Sequence, residues 1–102
     1  PVDSRHHQPY GILHGGVSVV LAESLGSVGA ALSVDPERYA CVGLDVNANH
    51  LRPVRSGTVT GTATPVHRGQ KTQVWSIRIE DESGRLVCIA RLTLAVIARD
   101  AV

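Results

Sequence analysis

Phenylalanine and methionine are both absent from the 102 residues, and aromatic side chains make up only 3%. A core must therefore be built from Val, Leu, Ile and Ala. Cysteine is scarce: Cys41 and Cys88 stand alone in strand-like runs, with no CxxC or Cys/His spacing that would hold a metal. Two isolated thiols fit buried cysteines in a reducing cytoplasm. A charge excess of one sign is also missing. The formal net charge of +1 argues against a general nucleic-acid binder, while leaving room for a local basic patch toward a phosphorylated ligand. No run of about 18 uninterrupted apolar residues marks a membrane span. There is no signal-peptide pattern, internal repeat, linker, GxSxG elbow or metal-ligand cluster.

What is present fits one small domain, residues 1–102, with 43% hydrophobic and 19% charged residues. A domain of this size is marginal alone and gains by hiding apolar surface against a partner. Residues 1 to 13 are polar and broken by Pro9 and Gly11, which reads as an extended piece and a loop. His14 and its two glycines then open a helical segment that runs to about Leu32, and Asp35-Pro36 ends it. Leu21, Leu25 and Val28 recur at helical spacing, and nearly every side of the segment is apolar or small. Such a helix is expected to be buried. Gly26 and Gly29 within it cost helix propensity but admit a close neighbour.

Everything after Pro36 is strand-like. Strands are expected from Ala40 to Leu51, Thr58 to Val66, Lys71 to Glu80, and Arg85 to Ile97. Alternation is clearest where Trp75, Ile77 and Ile79 interleave with Val74, Ser76, Arg78 and Glu80. Asp81-Glu82-Ser83-Gly84 reads as a hairpin turn with positive φ at Gly84. The last three strands then form an antiparallel meander. A sheet wrapped around one long helix satisfies the whole pattern, an α+β arrangement.

Glu23 is the chemically conspicuous residue. Its helical neighbours Val19, Val20, Gly26 and Ser27 include no cation. Either it reaches solvent at an edge, or it sits in a cleft, where desolvation suits a carboxylate for base or nucleophile work. The helix lacks a wet stripe, since Ser18, Ser24 and Ser27 are its other polar side chains between Gly16 and Leu32, and this favours the cleft. His14-Gly15-Gly16 places unpaired amides at a helix N-terminus, the geometry of an oxyanion hole. A plain glycine-rich helix start would look the same. Gln8, just upstream, can donate to a carbonyl or orient a water.

Together Gln8, His14, Gly15, Glu23 and Ser27 are more specific than any one of them. The stretches GILHGGVSVVLAESLGSVG, VGLDVNANHLRPVRSG and GQKTQVWSIRIEDESGRLVCIARLT resemble the hotdog-fold acyl-CoA thioesterases of the phenylacetate-pathway and 4-hydroxybenzoyl-CoA thioesterase type. The chain is most similar to members acting on 1,4-dihydroxy-2-naphthoyl-CoA and related aryl thioesters. The resemblance runs from Arg5 to Ile97. It implies that Glu23 is the catalytic carboxylate, as nucleophile or as general base. It further implies that the Gly15 amide holds the thioester oxygen, Gln8 orients the thioester, His14 assists the departing thiolate, and Ser27 holds a water.

The same resemblance implies no cofactor, because coenzyme A is part of the substrate. It implies a homodimer in which Glu23 and Ser27 of one subunit face Gln8, His14 and Gly15 of the other, and pairing of dimers into a homotetramer. Phosphates of the CoA arm need cations and backbone donors. Gly16, His50, Arg52, Arg55, His67, Arg68 and Lys71 are the candidates, whereas His6 and His7 read as exposed loop residues. Neither a nucleic acid nor a membrane is expected as partner. The family normally begins with a further strand and short helix, so natural sequence is expected to precede Pro1. Two other functions fit the fold: a non-catalytic acyl-CoA-binding module, and a hotdog hydratase or dehydratase. The latter pairs a catalytic His with a carboxylate in a different arrangement.

Overall fold

A computed structural model describes all residues, 1–102. A short 3-10 turn (Ser4–His6) precedes the helix α1 (Gly15–Leu32). Four strands follow, β1 (Tyr39–His50), β2 (Thr60–Arg68), β3 (Thr72–Glu80) and β4 (Leu86–Ala98), before a closing 3-10 turn (Arg99–Ala101). The strands form one antiparallel sheet in the order β1-β4-β3-β2, and α1 lies across one face in contact with all four. This is the helix-and-sheet arrangement of the hotdog fold. The meander of the last three strands is present, and Gly84 turns the β3–β4 hairpin at a φ of 79°.

The core lies between α1 and the middle of the sheet. Ile77, Ile79, Leu92 and Leu94 are fully enclosed, with Trp75 nearly so. The Trp75 indole donates to the Gln73 side-chain oxygen at 2.8 Å, which satisfies two buried polar groups at once. Ser18, Ala22, Gly26 and Ala30, each one turn after the last, are the buried line of α1. At Gly26 a Cβ would stand 2.6 Å from the Leu92 side chain, so a larger residue would push helix and sheet apart.

Two expectations about α1 need correction. The helix is not buried all round: Val20, Val28 and Leu32 are 65%, 59% and 83% exposed. The sheet of one chain covers one side of the helix and leaves an apolar stripe on the other. By length and composition α1 also passes as a membrane span, with 18 residues and a mean hydropathy of 1.5. Counting uninterrupted apolar residues missed this, because Glu23 and the serines interrupt the run. Its seat across four strands identifies it as the fold's central helix.

β1 and β2 are the edges of the sheet. Pro65 interrupts β2, where an edge tolerates the missing donor. β1 is 12 residues long, contains no proline, and has one unpaired side. Such an edge is a template for pairing with another strand. Its register against β4 slips between Gly43 and Asp45, a bulge that leaves Leu44 unpaired.

Candidate active site

The loop before α1 is held in place by its own backbone. Asp3 caps the first 3-10 turn by accepting from the Arg5 amide and guanidinium, which holds its carboxyl well below the usual range. His6 completes that turn, its Nδ1 accepting from the Asp3 amide at 3.1 Å while its carbonyl accepts from the His14 N–H at 2.7 Å. The His7 ring lies 2.6 Å from the Arg55 carbonyl. Both histidines are half-buried, not the exposed loop residues expected, because the loop folds back on the segment 54–57. Between them and the helix, the Gly11 N–H donates to the Gln8 carbonyl at 2.9 Å, with Gly11 at a φ of 77°. This tight reversal returns Gln8 to the start of α1. The Gln8 side-chain oxygen accepts from the Tyr10 amide, which leaves its NH₂ as a free donor.

His14 is the N-cap of α1, and its Nδ1 accepts from the Gly16 N–H at 2.8 Å. The neutral ring therefore carries its proton on Nε2. Gly16 is thereby occupied. The Gly15 N–H, one residue earlier, donates to no group of the chain. It is the free donor at the positive end of the helix dipole. The His50 ring packs against it, with Nε2 3.0 Å from where a Gly15 Cβ would stand. A cavity of about 510 Å³ opens here, lined by Gln8, Gly15, Ser18, His50 and Arg52 with the apolar Leu51 and Val87.

Glu23 and Ser27 do not line this cavity. Glu23 lies eight positions after Gly15 in the helix, about 12 Å along the axis. Glu23 is exposed and is not enclosed in a cleft of its own chain; its carboxylate rests against Gly43 of the edge strand β1. Ser27 follows one turn later and is half-buried. The set of five residues thus divides within one chain. Gln8, His14 and Gly15 gather at the helix start, and Glu23 with Ser27 stands two turns away.

The cations divide as well. His50 and Arg52 line the Gly15 cavity, and Arg55 reaches the Tyr10 carbonyl at 3.4 Å. His67 and Arg68, the last residues of β2, and Lys71 in the β2–β3 turn lie at the opposite end of the sheet, since β1 ends at His50 opposite Cys88 while β3 begins at Thr72 opposite Ala95. Lys71 instead lines a second cavity with Asp35, Tyr39 and Gln70. Antiparallel topology therefore breaks the expected single cationic cluster into two. Ser18 and Gly43 were not singled out by sequence. Ser18 sits one turn after Gly15, a spacing that could have suggested its place in the cavity. Nothing local marked Gly43. Burial raises the pKa of both free thiols, Cys41 and Cys88.

Residues 10–88 match the thioesterase superfamily. The chain is 56% identical over 97 residues to the 1,4-dihydroxy-2-naphthoyl-CoA hydrolase of Escherichia coli, covering 95% of this chain and 71% of that one. A mutant thioesterase from Pseudomonas aeruginosa, carrying a glutamine-to-alanine replacement, superposes with a TM-score of 0.94 at 60% identity, over 96% of this chain and 70% of that one. A protein of Staphylococcus aureus with a glutamate-to-alanine replacement superposes with a TM-score of 0.93 at 40% identity, covering 96% of this chain and 81% of that one. A second structure of that thioesterase carries a glutamine-to-alanine replacement fifteen positions before the glutamate. The chain spans 63% to 71% of the length of the first curated relatives it matches. With its helix laid across a four-stranded antiparallel sheet and these matches along most of its length, the chain belongs to the thioesterase superfamily.

Proposed function

We propose that the protein hydrolyses acyl-CoA thioesters at a site built from two copies of the chain. The observation that carries this reading is the division of one helix into two reactive halves. A free amide at Gly15 and a carboxylate at Glu23 lie about 12 Å apart along the axis, too far to meet on one carbonyl group. A second copy paired along the open edge of β1 would bring the Glu23 of one subunit to the Gly15 of the other. The unpaired edge and the apolar stripe of Val20, Val28 and Leu32 support such a partner. Isologous pairing doubles the site, and further pairing into a tetramer is part of the proposal.

The thioester oxygen accepts from the Gly15 N–H, and the helix dipole stabilises the charge that develops there, typically about 3 kcal/mol per donor. Gln8 offers its free NH₂ to orient the thioester, and His14 offers its Nε2–H to the departing thiolate. Glu23 then follows one of two routes. Attack on the carbonyl carbon expels CoA thiolate and leaves a mixed anhydride, which water cleaves. Alternatively, Glu23 takes a proton from a water that attacks directly. Ser27, one turn on, holds the water in either case. The spacing of Gln8 and Glu23, fifteen positions, equals that of the two residues replaced in the Staphylococcus aureus structures, which supports pairing them in one site.

Coenzyme A enters as part of the substrate. His50, Arg52 and Arg55 serve its arm at one end of the sheet; Gly16, expected to contribute a backbone donor, has its N–H taken by the His14 ring and does not line the cavity. Antiparallel pairing of two β1 strands would bring the partner's opposite end, with His67, Arg68 and Lys71, to the same side. An aryl acyl group fits the relatives' named substrate, and a reducing cytoplasm suits two unpaired thiols, of which Cys88 is buried and Cys41 half-buried. Release of CoA from benzoyl-CoA and 1,4-dihydroxy-2-naphthoyl-CoA tests the reading. Turnover that is abolished by Glu23→Ala is expected. Binding of acyl-CoA without turnover would instead make this an acyl-CoA-binding module.

A further inference from the structure

Glycine in the interior of a strand is costly, because it surrenders backbone entropy and packs no side chain. Gly43 stands in β1 between Val42 and Leu44, at the bulge against β4. Its backbone does not require glycine, since positive φ occurs only at Gly11, Gly57 and Gly84. Space does. A Cβ at Gly43 would stand 2.9 Å from the Glu23 Oε2 and 4.0 Å from both the Glu23 Cδ and a Leu92 methyl. The single close contact is therefore the carboxylate itself, the mobile end of a flexible side chain, with no backbone in the way.

We propose that Gly43 is a positioning residue: the missing side chain at this point of the edge strand forms the seat that sets where the Glu23 carboxylate lies. This inference rests on the thioesterase reading above and adds to it a residue that touches no substrate in the scheme. The bulge fits the role, since bulges bend a strand and re-aim what lies beside it. A methyl group at Gly43 would displace the carboxylate, and a misplacement of about 1 Å can cost on the order of 100-fold in rate.

The test is a double-mutant cycle on benzoyl-CoA hydrolysis, using Gly43→Ala, Glu23→Asp and the pair, with thermal melting of each protein. Gly43→Ala is expected to melt at or above the wild-type temperature, to lose on the order of 10- to 100-fold in kcat, and to keep KM within about twofold. Glu23→Asp withdraws the carboxylate by one methylene. Its penalty is expected to shrink several-fold in the Gly43→Ala background, because the shorter acid no longer meets the methyl. A full kcat in Gly43→Ala overturns the proposal, as do strictly additive effects. Failure of Gly43→Ala to fold also overturns it, since only a flexible side-chain end stands in the way. Two controls separate the readings: a wild-type protein that binds benzoyl-CoA without releasing CoA would sink the thioesterase reading, and activity in Glu23→Ala would remove Glu23 from its mechanism, whereas an inactive Glu23→Ala beside a fully active Gly43→Ala would sink this inference alone.

Discussion

The imidazole of His14 accepts a hydrogen bond from the Gly16 amide at 2.8 Å, and this leaves the Gly15 amide as the free donor of the first turn. One side chain thus caps the helix and fixes its own tautomer, with Nε2–H available. The two roles separate by substitution. His14→Ala is expected to destabilise the fold by about 1 kcal/mol and to slow turnover. His14→Asn restores an N-cap acceptor without an imidazole, so it should recover stability in urea unfolding while staying slow. Full turnover in His14→Asn would confine His14 to capping.

Gly15 occupies the first helical position, where proline is tolerated because the N–H has no intrahelical partner. His14 already has the extended backbone that a following proline favours, with φ −65° and ψ 129°. Both Gly15→Ala and Gly15→Pro introduce a Cβ against the His50 ring, but only proline removes the amide hydrogen. The ratio of their kcat values therefore isolates the amide. Gly15→Pro is expected to be slower by about 10²- to 10³-fold. Adding His50→Ala to both variants relieves the shared contact and should leave that ratio in place.

Much of the fold was legible in sequence because its signals are local. Val74 to Glu80 alternate, Gly84 supplies the turn, and Asp35-Pro36 stops the helix. What stayed hidden depends on residues far apart in the chain. The position of β1 beside β4 places His50 near Gly15 and sends Lys71 to the other end of the sheet. The hydrophobicity of α1 predicted burial, yet one chain supplies a single covering sheet, so Val20 and Val28 remain exposed. Gly43 had no local signature at all: its reason is the carboxylate of a residue twenty positions earlier.

The β3–β4 turn gives the fold an acid-sensitive contact. The Asp81 carboxylate accepts from the Arg85 N–H at 3.0 Å, the Ser83 N–H at 2.9 Å and the Arg85 guanidinium at 3.1 Å. The Arg85 backbone amide, chiefly, holds its pKa below the ordinary value, against a smaller opposing effect of burial. A depressed folded-state pKa contributes stability that is complete above the unfolded-state value of about 4. That contribution is lost as pH falls through the lower folded-state value. Asp81→Asn should therefore lower the urea midpoint at pH 7 and give a flatter midpoint profile than wild type at pH 4 and below. Parallel profiles would contradict this.

The two halves of the site are most directly tested by mixing two inactive proteins. Glu23→Ala lacks the acid and Gly15→Pro lacks the amide. After subunit exchange, each mixed dimer holds one site with both groups intact. Random pairing predicts recovery of about one quarter of the wild-type rate on benzoyl-CoA. Mixed dimers demonstrated by native mass spectrometry, with no activity regained, would contradict a site shared between subunits.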